Sequence, residues 1–190
     1  MKKAVVLFSE GFEEGEGLET VDILRRCGVT CVTVSINGKT VTGCNGITVL
    51  ADRLMDETDF DKFDMLVLPG GMPGAKNLKE DKRVIQLVRK FMKERKYVAA
   101  ICAAPIVLKE AGVTEGRRVT SYPADQYRYL FTDSEYVEDK LVVQDENLIT
   151  ARGPATVFPF AYHLAKVLGE NAETVKERML YNRLVESWKN

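Results

Sequence analysis

Short apolar runs alternate with segments of helical periodicity along the chain. Some of these runs carry no polar residue at every second position, as in Met65-Leu66-Val67-Leu68. Continuous apolar strands of this kind are typical of a parallel sheet that is covered on both faces. The first half of the chain predicts strands at 3–8, 29–36, 47–50, 63–68 and 97–101 and helices at about 16–26 and 84–93. The alternation predicts a doubly wound α/β fold, with a mainly parallel sheet between helix layers.

The second half of the chain continues the alternation. It predicts a helix after Cys102, strands at 118–121, 141–143 and 148–151, and two helices at about 155–168 and 172–187. The turn Asp145-Glu146-Asn147 separates the last two strands. Because no low-complexity tract, repeat or linker divides the chain, residues 1–190 are predicted to form a single domain.

The charge balance argues against several classes of partner. The chain has 190 residues, with 27 Lys and Arg against 28 Asp and Glu. A net charge of −1, with both signs spread along the chain, gives no electrostatic basis for binding nucleic acid or an anionic membrane. The apolar run near the N-terminus stops at Ser9-Glu10, too soon for a signal peptide or a membrane span. We therefore expect a cytoplasmic protein with no nucleic-acid or membrane partner.

The cysteine and histidine content argues against a metal centre. Cys27, Cys31, Cys44 and Cys102 show no C-x-x-C spacing, and the single histidine is His163. Zinc sites are usually built from closely spaced Cys and His ligands. We therefore predict no metal site and no cofactor, and we expect thiols in a reducing compartment. Ordinary packing is the simplest role for all of these cysteines except Cys102.

Cys102 stands where a buried strand gives way to a helix. The strand is predicted at Tyr97–Ile101, and Gly112 ends the helix that follows. One interpretation is a small core residue, since free cysteine is often fully buried. The other is a nucleophile on a tight strand-to-helix turn, where helix amides lower the pKa of the thiol.

Several chemically active residues directly follow the predicted strands. In open α/β sheets, ligands bind beyond the carboxyl ends of the strands. The residues that would meet there are Glu13, Glu14, Glu16, Gly70, Gly71, Cys102, Tyr122, Arg152, Gly153 and Pro154. A nucleophile, an ionisable neighbour and backbone donors are the components of a reactive site.

Most of these features also have a plain structural explanation. The three glutamates could complement the positive end of a helix dipole. Gly70-Gly71 could be an ordinary loop, although glycine permits close backbone approach to a ligand. Arg152 could be an ion-pair partner or a surface charge. His163 lies about ten residues into a predicted helix, roughly 15 Å from the strand ends, so we assign it a structural role.

Four segments together resemble the DJ-1/PfpI superfamily. They are SEGFEEGEGLETVDILRR, FDMLVLPGGMPGAKNL, AAICAAPIVL and LITARGPATVFPFA. The likeness runs from about residue 2 to 185 and is strongest to the branch that contains the Parkinson's-disease protein. It implies a flavodoxin-like three-layer fold and a homodimer, with the Cys44-Asn45-Gly46 turn and the helix 17–26 at the dimer interface.

The resemblance also implies roles at the site. It places the reactive nucleophile on Cys102, the acid that hydrogen-bonds this thiol on Glu16, and oxyanion-stabilising amides on Gly71 and Ala103. The physical chemistry agrees, because a carboxyl beside a thiolate is shifted toward its protonated form and can then donate a hydrogen bond. The same bond would stabilise a sulfinate after oxidation. Residues expected to line the site are Gly70, Tyr122, Arg152, Gly153 and Pro154.

The resemblance predicts a cofactor-independent enzyme of the glyoxalase or deglycase type, acting on small reactive carbonyls such as methylglyoxal. Cys102 would add to the aldehyde and Glu16 would move the proton. The alternative is a non-enzymatic redox sensor or redox-regulated chaperone of the oxidative-stress response. Ala103 stands where peptidase-like members carry histidine, and Tyr122 where the branch often does. Cysteine peptidase or amidotransferase activity is disfavoured, because it needs an imidazole partner.

Overall fold

The computed structural model describes residues 1–188, in which strands and helices alternate. The strands are β1 (Lys3–Phe8), β2 (Thr30–Ser35), β3 (Thr40–Thr42), β4 (Thr48–Leu50), β5 (Arg53–Leu54), β6 (Met65–Leu68), β7 (Tyr97–Ile101), β8 (Arg118–Val119), β9 (Glu135–Tyr136), β10 (Val142–Asp145) and β11 (Leu148–Ala151). The α-helices are α1 (Glu14–Arg26), α2 (Gly74–Glu80), α3 (Lys82–Lys93), α4 (Pro105–Glu110), α5 (Asp125–Arg128), α6 (Val157–Val167), α7 (Ala172–Arg178) and α8 (Tyr181–Ser187). Short 3-10 turns lie at Met55–Glu57, Phe60–Lys62 and Pro154–Thr156.

A central sheet has the strand order β10-β11-β7-β6-β1-β2-β5. Its neighbouring strands run parallel, except for the antiparallel pair β10 and β11. The longer parallel strands follow the flavodoxin-like order, in which the second strand lies outside the first and the later ones are added on the other side. The direction of addition reverses between β1 and β6, so the topological switch point lies there. The prediction of a doubly wound, mainly parallel α/β sheet is confirmed.

Helix layers cover the sheet and bury its strands. Helix α1 packs against α6, while α2, α3 and α4 contact one another. All four residues of β6 are buried, as expected for a strand covered on both faces. The rings of Phe8 and Phe12 stack with centroids 4.3 Å apart and fix the loop after β1 against the core. Within residues 1–188, no helix is long and apolar enough to cross a membrane.

Two predicted elements differ in the structure. The predicted strand 118–121 is limited to β8, which pairs with β9 in a separate small sheet. The predicted helix 172–187 is two helices, α7 and α8, because Leu180 adopts a left-handed backbone with φ 60°. Such a conformation ends an α-helix, and no glycine or proline in the sequence announces it.

Helix α2 was not expected, because the glycine-rich segment before it predicts a loop. Two of its residues, Ala75 and Leu78, are fully buried. Their spacing of three residues places them on the same helix face, which packs into the core. Tertiary burial therefore stabilises this short helix despite the glycines nearby.

Candidate active site

Three loops meet beyond the carboxyl ends of β1, β6 and β7, at the switch point of the sheet. The loop after β1 is tied to the loop after β6, because Glu13 N donates to the Gly70 carbonyl at 2.9 Å. Gly74 N also donates to the Gly11 carbonyl at 3.1 Å. Cys102 directly follows β7. The predicted convergence of these segments at one edge of the sheet is therefore present.

Cys102 occupies a strained turn between β7 and α4. Its φ of 63° lies in the left-handed region, which costs energy for a residue with a side chain. Its N–H donates to the Ala151 carbonyl at 2.9 Å, and its carbonyl accepts from Tyr122 N at 2.8 Å. Its residue surface is 8% exposed, so the cysteine is buried but not fully sealed from solvent. The elbow interpretation of this cysteine agrees with this geometry.

Glu16 lies beside Cys102 in the first turn of α1 and is fully buried. Its Oε2 accepts a hydrogen bond from Gly70 N at 2.7 Å, and its Oε1 has no well-aligned partner among the described residues. A methyl group on Gly70 would lie 2.7 Å from Glu16 Oε2 and 2.8 Å from Cys102 Cβ. Only glycine therefore fits between the carboxyl and the cysteine.

Burial governs the ionisation of both groups. It raises the pKa of Glu16 from 4.5 to about 7, although the hydrogen bond from Gly70 acts in the opposite direction. Burial, and then the adjacent Glu16 carboxyl, raise the pKa of the Cys102 thiol. The expectation that backbone amides lower this pKa is wrong in its net outcome, because desolvation and a second acid outweigh them. Above about pH 7, the thiol and the carboxyl together hold one proton and titrate as a pair.

The amides of Gly71 and Ala103 both hydrogen-bond to the Cys102 side chain, and each lowers its pKa. Gly71 has φ 86°, and a methyl group there would lie 2.3 Å from Glu13 N. Both the conformation and the close approach require glycine at this position. Two N–H groups therefore point at the sulfur from different loops, as expected for the stabilisation of negative charge.

The three glutamates at the start of α1 have separate functions. Glu13 is the N-cap of α1, and its carboxylate accepts from Glu16 N at 2.5 Å. Glu14 is buried, and it accepts from Asn45 N and Asn45 Nδ2, each at 2.8 Å, and from Ile47 N at 3.2 Å. Burial alone would raise the pKa of Glu14, but these hydrogen bonds together lower it. Glu14 therefore fastens the turn between β3 and β4, and Glu16 is the one that faces the thiol.

The residues expected to line the site are only partly brought together. Tyr122 is 42% exposed, its backbone N–H bonds the Cys102 carbonyl, and its ring lies close to the buried Gly153, so both residues lie near the cysteine. The Arg152 guanidinium donates to the Glu138 carbonyl, and this contact holds the Arg152 side chain in a structural role. Pro154 is exposed at the start of a 3-10 turn. Tyr122 and Gly153 are therefore candidates for contact with a ligand, and the Arg152 side chain is held elsewhere.

His163 and the other cysteines lie outside the site. His163 Nε2 lies 2.7 Å from Gln144 Oε1, on β10, and burial lowers the pKa of the imidazole. Cys27 and Cys31 are buried, as packing predicts, but Cys44 is exposed. Among residues 1–188, no group of three His, Cys, Asp or Glu side chains is arranged to hold a metal ion.

Two residues behind the site, Ser121 and Tyr136, were not among the predicted site residues. Ser121 Oγ and Tyr136 Oη lie 3.0 Å apart, directly behind Tyr122. They are fifteen residues apart in the chain and belong to segments outside the central sheet. The residue selected from the sequence was Tyr122, which follows the predicted strand 118–121. Ser121 is the last residue of that strand, and Tyr136 lies on β9, a strand that was not predicted.

Both the sequence and the fold match known proteins. Residues 2–167 match the DJ-1/PfpI family. The chain is 40% identical to the protein dj-1beta of Drosophila melanogaster over 177 residues, covering 93% of this chain and 94% of the fly protein. It is 31% identical to a protein named deglycase from Pyrococcus abyssi over 166 residues, covering 87% and 99% respectively. The crystal structure of Drosophila DJ-1beta superposes with a TM-score of 0.90 at 38% identity, covering 94% of this chain and 97% of that one.

Proposed function

Because the chain belongs to the DJ-1/PfpI family, we propose that it is a cysteine-dependent enzyme of the glyoxalase or deglycase type. The observation that carries the proposal is the pairing of Cys102 with a buried acid, Glu16, across Gly70. An acid with a pKa of about 7 is suited to give and take a proton near neutrality. The deglycase from Pyrococcus abyssi supports the same class of chemistry.

The proposed reaction converts methylglyoxal and water into lactate without a cofactor. A proton moves from Cys102 to Glu16, and the thiolate forms a C–S bond with the aldehyde carbon. The amides of Gly71 and Ala103 stabilise the alkoxide that forms, which then takes the proton back from Glu16 and becomes the hydroxyl of a hemithioacetal. The Glu16 carboxylate then removes the proton from that carbon, and an enediol forms. Reprotonation of the neighbouring carbon gives a lactoyl thioester, which water hydrolyses to lactate and the free thiol.

Amide hydrolysis is not part of the proposal. A cysteine peptidase needs an imidazolium to protonate the leaving nitrogen. The single histidine, His163, is engaged with the Gln144 side chain on β10 and is not among the groups that contact the Cys102 thiol. We therefore expect no cleavage of casein or of small amide substrates.

The test is lactate formation from methylglyoxal by the purified protein. We expect Cys102→Ser to abolish it and Glu16→Gln to reduce it strongly, because glutamine cannot exchange a proton. Cys44→Ser is the matched control, since it removes an exposed thiol that takes no part in the reaction. Lactate formation that survives Cys102→Ser would refute the proposal.

A second candidate, a redox sensor, is supported by the same surroundings of the sulfur. The amides of Gly71 and Ala103 and a protonated Glu16 would donate hydrogen bonds to a sulfinate on Cys102. Mild peroxide should then add two oxygens in the parent protein and in Glu16→Gln, which keeps a donor. Glu16→Leu removes the donor and should block the sulfinate. Clean oxidation in a protein that forms no lactate would favour the sensor over the enzyme.

We also propose that the chain forms a homodimer. Leu18 on α1 is 37% exposed, and Ile47 and Leu50, near and on β4, are 54% and 73% exposed. Exposed apolar side chains of this size are typical of an interface. Sedimentation velocity should give a dimer for the parent and a larger monomer fraction for Leu50→Glu.

A further inference from the structure

Two hydroxyl groups behind Cys102 form a relay that ends on the backbone of the site. Ser121 Oγ donates to the Tyr122 carbonyl at 3.3 Å. Tyr136 Oη lies 3.0 Å from Ser121 Oγ, where either hydroxyl can donate, and 3.4 Å from the Ser121 carbonyl, to which it can donate. Tyr122 in turn donates its N–H to the Cys102 carbonyl at 2.8 Å. The Ser121 carbonyl and the Tyr122 N–H belong to the same peptide unit, so the relay connects Tyr136 with the peptide that holds the strained cysteine.

The segment that carries Tyr122 has no ladder of the central sheet to orient it. It follows β8, which pairs with β9 and lies outside that sheet. Its attachment to the sheet includes the bond from Thr120 N to Thr150 Oγ1 at 2.9 Å. A left-handed residue such as Cys102 persists only where the surroundings over-determine its conformation. Side-chain bonds in this segment therefore bear on the direction of the cysteine.

Burial and packing hold the two hydroxyl groups in place. Ser121 is fully buried, and Tyr136 is half-buried. The ring of Tyr136 stacks on Phe131, with centroids 5.9 Å apart and an interplanar angle of 26°. The stacked ring fixes the position of the hydroxyl, and the contact with Ser121 follows from that position.

We propose that Tyr136 and Ser121 are positioning residues for the nucleophile. They hold the Tyr122 peptide so that Cys102 keeps its left-handed turn, with the thiol directed at Glu16. Neither side chain touches the reacting atoms. The importance of these two residues for turnover rests on the proposed function. Their effect on the thiol can be measured without turnover.

The test is alkylation of Cys102 by iodoacetamide at pH 8 and pH 10 in a Cys44→Ser background. In the parent background the two rates should be similar, because we expect the pair to keep one proton over this interval. Tyr136→Phe keeps the stacked ring and removes the hydroxyl, so the thiol leaves the carboxyl and ionises on its own. Loss of one neutral hydrogen bond changes an equilibrium constant about five-fold. We expect the ratio of the pH 10 rate to the pH 8 rate to rise by about this factor.

Further variants separate positioning from simple loss of stability. Ser121→Ala should raise the ratio as Tyr136→Phe does, and the double variant no further, because the two residues act in series. Ser121→Thr keeps the hydroxyl and should keep the parent ratio. Tyr127→Phe is the matched control, since Tyr127 lies edge-on to Tyr122 at 6.1 Å in the same segment but outside the relay.

The proposal is overturned if Tyr136→Phe and Ser121→Ala keep the parent ratio, even where their melting temperatures fall. An equal rise in Tyr127→Phe also overturns it, because the effect would then be a general loosening of the segment. A protein that forms no lactate still gives an interpretable ratio, so failure of the proposed function is distinguishable from failure of this inference.

Discussion

Replacing Glu16 by glutamine should stabilise the folded protein at alkaline pH and not at acidic pH. The buried carboxyl has a pKa of about 7 in the folded protein and an ordinary value of 4.5. The folded state therefore binds this proton more tightly than the unfolded chain does. At about 1.4 kcal/mol per pKa unit, the difference amounts to roughly 3 kcal/mol of unfolding free energy.

The sign follows from proton linkage. Between pH 4.5 and about 7 the folded protein carries more protons at this site than the unfolded chain. The free energy of unfolding consequently falls as pH rises through this window. The stabilising contribution is complete below pH 4.5 and lost above about pH 7. Glutamine is neutral throughout, and its amide oxygen can still accept from Gly70 N.

The assay is urea denaturation of parent and Glu16→Gln at pH 4 and pH 8 under reducing conditions. The variant should gain roughly 3 kcal/mol relative to the parent between the two pH values. Glu115→Gln, at an exposed carboxyl, is the control for loss of one surface charge. A variant-to-parent difference that does not change with pH would refute the assignment of a raised pKa to Glu16.

Three more substitutions test neighbouring contacts. Gly70→Ala inserts a methyl group between Glu16 and Cys102, and lactate formation should fall roughly 100-fold, because a displacement of about 1 Å can have that effect. An unchanged rate would contradict the close approach. Glu13→Gln keeps the cap acceptor but removes a charge that raises the pKa of Glu16, so the pH at which the Cys102 alkylation rate rises should become lower. An unchanged or higher pH for that rise would contradict the effect of Glu13. Glu14→Ala should accelerate amide hydrogen exchange in the 43–47 turn about ten-fold or more, because the amides of this turn donate to the charged Glu14 carboxylate. Exchange at the parent rate would show that Glu14 does not stabilise the turn.

Local patterns in the sequence were sufficient for the sheet and for the strand-to-helix turn that carries Cys102. The apolar runs at β1, β6 and β7 predict buried parallel strands because each is covered on both faces. The alanine-rich junction around Cys102 marks the strand-to-helix turn. The resemblance to the DJ-1/PfpI family, based on four segments in order, is confirmed by the match over residues 2–167.

The ionisation of the site depends on features that a sequence does not carry. Whether amides or burial dominate the pKa of Cys102 depends on how much water the fold removes, and that is set by tertiary packing. The three glutamates lie close together in the sequence, but Glu13 caps α1, Glu14 binds the 43–47 turn, and Glu16 contacts Gly70 and the thiol. The left-handed Leu180 likewise has no local signal, and the break between α7 and α8 follows from it.

The central claim is that Cys102 and Glu16 share one proton. Its most direct test is the rate of Cys102 alkylation by iodoacetamide from pH 5 to pH 10, in a Cys44→Ser background with site-resolved mass spectrometry. The account predicts a rate that rises through about pH 7 and then stays level. With Glu16→Gln the step near pH 7 should disappear, and the rate should keep climbing with ionisation of the thiol alone. The same continuously climbing profile in both proteins would contradict the shared proton.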